Sequence, residues 1–282
     1  MVRIFRTSPP FPYRFGSLFR ICGLLMLVSE IWKQACLTFF LNHGSYDWRY
    51  FPFQLCSIPM YILLLLPYTK TSFQRRTCFT FLMTFGLLGG IAVFADTSGL
   101  HYPLPLLTVH SYAWHVLLIG IGILSAAAYD SEGYAPLSEV NSEGSAVSRK
   151  IRSADAAVSP ESISADAAVL PQVHSKRRSV SPCLRDFTCA ALLYLACCVA
   201  AAVINHICGR FGIINMFYIN PAYRMEQIIF YDLVPLLGNL TVIFLYIGMT
   251  ILGAGLLFLL WKLLLRYAAK CRIHHSGTGR PA

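Results

Sequence analysis

Long apolar runs separated by short polar stretches set the pattern of this chain. A bilayer core of roughly 30 Å needs about 20 apolar residues at about 1.5 Å each, so runs of about 17–25 residues are the informative ones. Six stand out, at residues 17–41, 52–66, 77–95, 106–128, 184–206 and 236–265. They predict an all-α fold, a polytopic transmembrane helix bundle of about six helices. The second run is short and carries Pro52 and Pro59, which predicts a kinked or partly re-entrant helix packed among the others. Gly86 and Gly90 predict a close helix contact. Trp48 and Tyr50, beside helix ends, fit an interfacial belt.

Between the fourth and fifth runs the pattern stops. Residues 129–183 are rich in Ser, Ala and charge, and Ser-Ala-Asp-Ala-Ala-Val occurs at residues 153–158 and again at 164–169. Such a composition predicts a cytoplasmic disordered insertion. Two six-residue copies are too few and too small to stack as a solenoid. The expected organisation is a membrane bundle of four helices over 1–128, the insertion over 129–183, and two further helices with a basic tail over 184–282. Removing the insertion is expected to leave the bundle intact.

Composition agrees with a membrane protein: of 282 residues, 56% are hydrophobic and 13% charged, with mean hydropathy +0.57. Soluble domains average roughly 45–50% apolar and about 25% charged. The net charge of +10 would suggest a nucleic-acid partner in a soluble domain. Here the basic residues sit between apolar runs, where the positive-inside rule explains them. Nucleic acid is therefore not expected as a partner. Only Arg49, Arg210 and Arg224 fall in the alternate loops, and Lys33 lies within the first helix. Both termini are accordingly expected on the cytoplasmic side of the cell membrane, in a multi-pass topology with membrane lipids as partners. Residues 1–15 carry prolines and arginines and the first apolar run is long, so that run is expected to stay as an anchor, without a cleaved signal peptide.

The ten cysteines form no CxxC pair and no metal spacing with histidine. Most lie inside apolar runs and are expected as small buried hydrophobes. No metal and no cofactor is expected.

With that orientation the polar residues of the runs gather in the outer half. Gln54 and Cys56 enter with the second helix, His110, Ser111 and His115 with the fourth. Asn205 and His206 end the fifth helix, and Asp232 precedes the sixth. Glu30 and Lys33 reach the middle of the first, three apart on one face, as a structural ion pair or as a proton relay or head-group anchor. His115 alone suits a hydrogen-bonded core histidine as well as a base. Cys56 is either a packed thiol or a nucleophile, the latter only if the second and fourth helices touch.

Three stretches carry a resemblance. Phe51-Pro-Phe-Gln-Leu-Cys-Ser-Ile-Pro-Met-Tyr61, His110-Ser-Tyr-Ala-Trp-His115, and Ile214-Asn-Met-Phe-Tyr-Ile-Asn-Pro221 with Gly238-Asn239 resemble the YwaF-type bacterial integral membrane family. That family is related to eukaryotic membrane ether-phospholipid acyltransferases and, more distantly, to membrane hydrolases of fatty-acid esters of hydroxy fatty acids. The resemblance covers about residues 17–128 and 184–265. It implies a bundle of six or seven helices with a polar pocket where the second-helix motif meets the histidine of the fourth, a place held by His115. In the acyltransferase relatives the proline is followed by Cys-His, whereas Phe53 and Gln54 stand here. The thiol is Cys56, as in many bacterial members, and Gln54 cannot serve as a base.

The resulting expectation is a lipid acyltransferase or acyl-ester hydrolase with an outer-half pocket. Cys56 would be the nucleophile, His115 the base, and Gln54 an orienting or oxyanion-stabilising group. The expected substrate-binding residues are His110, Ser111, Glu30, Lys33, Asn215 and Arg224, with Arg224 or His206 meeting a lipid head group. The competing expectation is a non-enzymatic lipid- or solute-binding protein or transporter, favoured by the broken second helix and by Glu30 and Lys33. A structural subunit of a larger complex is the third.

Overall fold

The structure, a computed structural model, describes residues 13–132 and 182–277. The described residues are helical, with no strand among them. Helix α1 (Tyr13–Ala35) runs on through a π-helical turn (Cys36–Leu41). After a loop come α2 (Ile58–Leu65) and α3 (Ser72–Phe81), the latter continuing through a second π-helical turn (Leu82–Gly86) into α4 (Leu87–Ala92). Then follow α5 (Pro105–Glu132), α6 (Leu184–Cys208), the short α7 (Val234–Leu237) and α8 (Asn239–Gly277). The insertion expected over 129–183 lies almost wholly outside the described residues, as does the end of the basic tail.

Four described helices are long and apolar enough to cross a membrane: Phe15–Leu41, Pro105–Asp130, Leu184–Cys208 and Asn239–Ala268. Their outer faces carry large apolar side chains such as Val28, Phe40, Val116, Val199 and Phe244. Exposed apolar surface on this scale marks a face made for lipid. The chain is thus a membrane-embedded helical bundle. The second and third apolar runs are also helices, packed among the others. Helix α2 begins only at Ile58, with Pro59 in its first turn, where a missing N–H leaves no bond unmade. Residues 52–57 form a turn instead: Ser57 N–H donates to Gln54 O at 2.8 Å, and Tyr61 Oη donates to Pro52 O at 2.8 Å. Helix α3 starts earlier than the apolar run because Thr71 and Gln74 form a reciprocal capping box.

Glycines allow close helix contacts. A Cβ on Gly90 would lie 3.1 Å from Leu118 Cβ, and one on Gly122 would lie 2.8 Å from Leu87 Cβ, so α4 and α5 meet nearly backbone to backbone. Gly86 faces α2 instead, 3.3 Å from Pro59 Cγ. Trp261 of α8 donates its indole N–H to Met83 O at 2.8 Å, inside the second π-helical turn. Ring contacts run without a break from Phe258 through Phe187, Phe85, Tyr194 and Phe217 to Phe53. They join the α8 side of the core to the turn before α2.

Candidate functional site

The expected site gathers at the end of the bundle where α1 finishes, α5 begins and the 214–239 segment closes over them. Its first component is the turn at 52–57. Trp114 of α5 donates its indole N–H to Cys56 O at 3.1 Å, and Gly89 of α4 leaves room beside the Cys56 backbone. The contact between the second and fourth apolar runs, on which a nucleophilic Cys56 depends, is therefore made. Cys56 itself is half-buried and packs on the main core.

His115, the next residue of α5, is buried, and its Nδ1 lies 2.7 Å from Ser111 O. A backbone carbonyl only accepts, so Nδ1 carries the proton and Nε2 keeps its lone pair. Ser111 and His115 thus interact through the serine carbonyl. His110 lies between Trp32 and Trp114, at ring-centroid distances of 5.6 and 5.8 Å. Both its ring nitrogens are buried without a hydrogen-bond partner among the described residues.

Glu30 and Lys33 of α1 form an ion pair at 2.8 Å, and Glu30 is 3% exposed. Gln34 donates to Glu30 Oε1 and to Tyr50 O, each at 2.7 Å, tying the pair to the loop after α1. Both charges lie within electrostatic reach of Cys56 and His110, and Lys33 within reach of His115. Glu30, Lys33, Cys56, His110, Ser111 and His115 therefore share one neighbourhood.

Gln54 and Asn215 have a different position. One N–H of the Gln54 amide donates to Asn215 O at 2.9 Å, and its Oε1 accepts from Phe217 N–H at 2.7 Å. Asn205 grips the same segment from α6: Met216 N–H donates to its Oδ1 at 2.7 Å and its Nδ2 donates to Met216 O at 3.1 Å. Between these two clamps, Phe217 and Tyr218 adopt φ of 57° and 56°, a left-handed conformation that side chains resist unless the surroundings impose it. Asn215 Oδ1 accepts from Asn220 N–H, Asn220 Nδ2 donates to Ile214 O, and Asn239 Oδ1 accepts from Met225 N–H. Asn239 follows Gly238, whose φ of 79° breaks α7 from α8. The amides of the sequence motif fold this segment over the site.

Arg224 is apart from the cluster. It is exposed, with its guanidinium 3.8 Å from the Tyr231 ring centroid and Nη2 donating to Tyr231 O. His206 and Asp232 are exposed as well. Trp48 belongs to an aromatic cluster, stacking on Phe51 and Phe211. Among the described residues no group of three His, Cys, Asp or Glu side chains is placed to hold a metal.

A second polar cluster, at the other end of the bundle, has no counterpart in the sequence reading. Arg76 of α3 pairs with Asp186 of α6 at 2.8 Å and donates to Tyr129 Oη of α5 at 2.7 Å, while Tyr129 Oη donates to Asp186. An aspartate in the first turn of an apolar helix was the available signal. Its partners lie 57 and more positions away.

Compared with protein-family models, curated proteins and solved structures, the chain matches none.

Proposed function

We propose that this protein is a multi-pass membrane enzyme that transfers or hydrolyses a lipid acyl group, with Cys56 as nucleophile and His115 as base. The observation that carries this reading is the Trp114 to Cys56 hydrogen bond. It joins the thiol-bearing turn to the helix turn bearing His115, whose Nε2 is left as the basic nitrogen.

In this reading Cys56 Sγ attacks the carbonyl carbon of an acyl ester as His115 Nε2 takes the thiol proton. The tetrahedral adduct collapses, the alcohol leaves with the proton from His115, and an acyl thioester remains on Cys56. Water or a second lipid hydroxyl, deprotonated by His115, attacks the thioester and regenerates the thiol. His110, Ser111, Glu30 and Lys33 surround the substrate. The unpaired imidazole of His110 suits an ester oxygen or hydroxyl, since a buried polar group without a partner is costly. Gln54 and Asn215 hold the wall of the site, and Arg224 meets a head group at its rim. Membership of the YwaF-type family, a cell-membrane location, and both termini on the cytoplasmic side belong to the same proposal; the quoted motifs and the Lys and Arg distribution support them.

A second reading, a lipid- or solute-binding protein or transporter, is favoured by one observation: the Glu30–Lys33 pair is buried inside a membrane-spanning helix. Such pairs mark solute and proton paths.

The test is labelling of the detergent-solubilised protein with a lipid-like probe carrying an electrophilic acyl carbonyl. The enzyme reading expects labelling that is lost in Cys56→Ala and strongly slowed in His115→Gln. Equal labelling in Cys56→Ala, or none in wild type, moves the binding or transport reading ahead.

A further inference from the structure

Attack of a thiol on an ester puts negative charge on the carbonyl oxygen, and a hydrogen-bond donor held ready for that oxygen is usually the largest single contribution to such a reaction. From sequence alone this role falls to Gln54. In the structure the Gln54 oxygen and one of its N–H groups are engaged by the backbone of Phe217 and Asn215. That amide is a scaffold, and the residue it helps to place is Tyr218.

Tyr218 ends the short helical turn Met216–Tyr218, and its φ of 56° is left-handed. A residue with a side chain stays there only where its surroundings over-determine it, and such residues cluster at functional sites. Two contacts dock this turn on the residues just before Cys56. Phe217 N–H donates to Gln54 Oε1 at 2.7 Å, and the Phe217 and Phe53 rings lie 6.0 Å apart. The half-buried Tyr218 is thereby brought within electrostatic reach of Cys56. Tyr218 lies outside the membrane-spanning helices. Burial, above all, pushes its phenol up to about 12, so near neutral pH it is an uncharged donor. The Gln227 side chain also hydrogen bonds Tyr218, and its effect on the phenol is downward. That is the direction of a group that donates to the phenol oxygen, which favours donation of the phenol proton to a further acceptor.

We propose that Tyr218 is a further catalytic residue of this site, its phenol donating a hydrogen bond to the ester carbonyl oxygen as Cys56 attacks. The proposal rests on Cys56 as the nucleophile. As the bond from Cys56 Sγ to the carbonyl carbon forms, the carbonyl π pair moves onto oxygen, where the Tyr218 O–H meets it. The phenol keeps its proton. When the adduct collapses, the pair returns to the carbonyl and the alcohol leaves with the proton that His115 took from the thiol. The strained turn thus aims a neutral donor at charge that exists only during the reaction.

The full chain in detergent is reacted with two reagents of equal chain length. One is p-nitrophenyl decanoate, whose carbonyl passes through an oxyanion. The other is N-decyl iodoacetamide, which alkylates a thiol by direct displacement of iodide and forms none. Alkylation of Cys56 is followed by peptide mass spectrometry. Tyr218→Phe is expected to slow p-nitrophenolate release at saturating ester by about 100-fold. The half-saturating concentration, the alkylation of Cys56 and the thermal unfolding are expected to match wild type. Fluorotyrosine incorporated in place of Tyr218 keeps the ring and the hydroxyl and makes the proton more acidic. It is expected to speed release and to leave alkylation unchanged. Should Tyr218→Phe unfold at lower temperature, the fluorotyrosine chain decides alone. Release equal to wild type in both chains overturns the assignment of Tyr218 and leaves Cys56 in place, provided that Cys56→Ala abolishes release. Parallel changes in release and alkylation overturn it too, because Tyr218 then acts on the thiol. No release in wild type, or equal release in Cys56→Ala, overturns the Cys56 reading and this assignment with it.

Discussion

Phe217 N–H donates to Gln54 Oε1 at 2.7 Å across 163 positions of sequence, and the same Gln54 amide returns a bond to Asn215 O. Gln54→Ala leaves a partly buried donor and acceptor unpaired, a loss of about 1–3 kcal/mol. Unfolding temperature in detergent is expected to fall in Gln54→Ala and to change much less in Cys56→Ala. Asn205 grips the adjacent residue from the other side. The double variant Gln54→Ala/Asn205→Ala is therefore expected to lose a different amount from the sum of the singles, since both act on one turn. Simple additivity would show that the two clamps are independent.

The Glu30–Lys33 pair carries the second prediction. Side-chain exposure is 15% for Lys33 and 4% for Glu30, so Glu30→Gln strands an ammonium in a largely water-free place. Removing one partner of a buried pair costs about 3–5 kcal/mol, whereas replacing both with apolar groups is often neutral. Glu30→Gln is expected to unfold at markedly lower temperature, and Glu30→Leu/Lys33→Met to recover most of that loss. A double variant as unstable as the single would mean that the pair itself, rather than the stranded charge, supplies the stability.

The helical bundle was legible because each long apolar run must bury or face lipid over its whole length, and that requirement is written locally. The shortened second helix was legible too: Pro52 and Pro59 announce it. Gln54, Asn215, Asn220 and Asn239 were legible as a motif but not as a scaffold. Their partners are backbone groups of the folded 214–225 segment, and for Gln54 these lie 161 and 163 positions away. No local rule connects them. A similar separation hid the Arg76–Tyr129–Asp186 cluster, in which Tyr129 and Asp186 are 57 positions apart.

Helix contact through glycine makes a sharp comparison within α5. A Cβ on Gly122 would meet Leu87 Cβ at 2.8 Å, and neither atom can move without its backbone. Gly122→Ala is expected to cost about 1–3 kcal/mol through overpacking. A Cβ on Gly120 meets nothing within 4 Å, so Gly120→Ala is expected to be neutral or mildly stabilising, alanine being the better helix former. Thermal unfolding of the two variants side by side checks the α4–α5 approach; equal effects would contradict it.

Outside the membrane-spanning helices, Asp47 and Arg49 give a pH dependence with a definite sign. Hydrogen bonding from the Arg49 side chain, above all, holds the Asp47 carboxyl below its usual range, with Arg49 Nη2 at 2.6 Å. A depressed carboxyl contributes stability that is complete above its unfolded value of about 3.9 and is lost as pH falls through the lower folded value. The Arg49 side chain is 60% exposed, so the pair is worth no more than about 1 kcal/mol and weakens with salt. Wild type is expected to exceed Asp47→Asn in unfolding temperature at pH 6 and to lose that advantage as pH drops well below 4. An advantage that persists in acid would place the contribution elsewhere than in this charge.

Tyr129 near the end of α5 and Asp186 at the start of α6 are hydrogen bonded, Cys183 N–H donates to Tyr129 Oη at 3.2 Å, and Arg76 bonds both side chains. The two ends of the 133–181 segment are thus fastened by the bundle itself, and closure of the connection does not depend on what lies between. Loop-closure entropy changes by only about 0.6 kcal/mol per doubling of length. Replacing residues 133–180 with about a dozen Gly and Ser residues should therefore alter stability by only about 1 kcal/mol. Tyr129→Phe acts on the fastening instead, leaving Cys183 N–H without its partner and Asp186 Oδ2 with Arg76 alone, and is expected to cost about 1–3 kcal/mol. The order of unfolding temperatures in detergent checks both: the shortened chain close to wild type, Tyr129→Phe below it. A shortened chain that fails to assemble would show that the insertion, and not the Arg76–Tyr129–Asp186 cluster, holds α5 and α6 together.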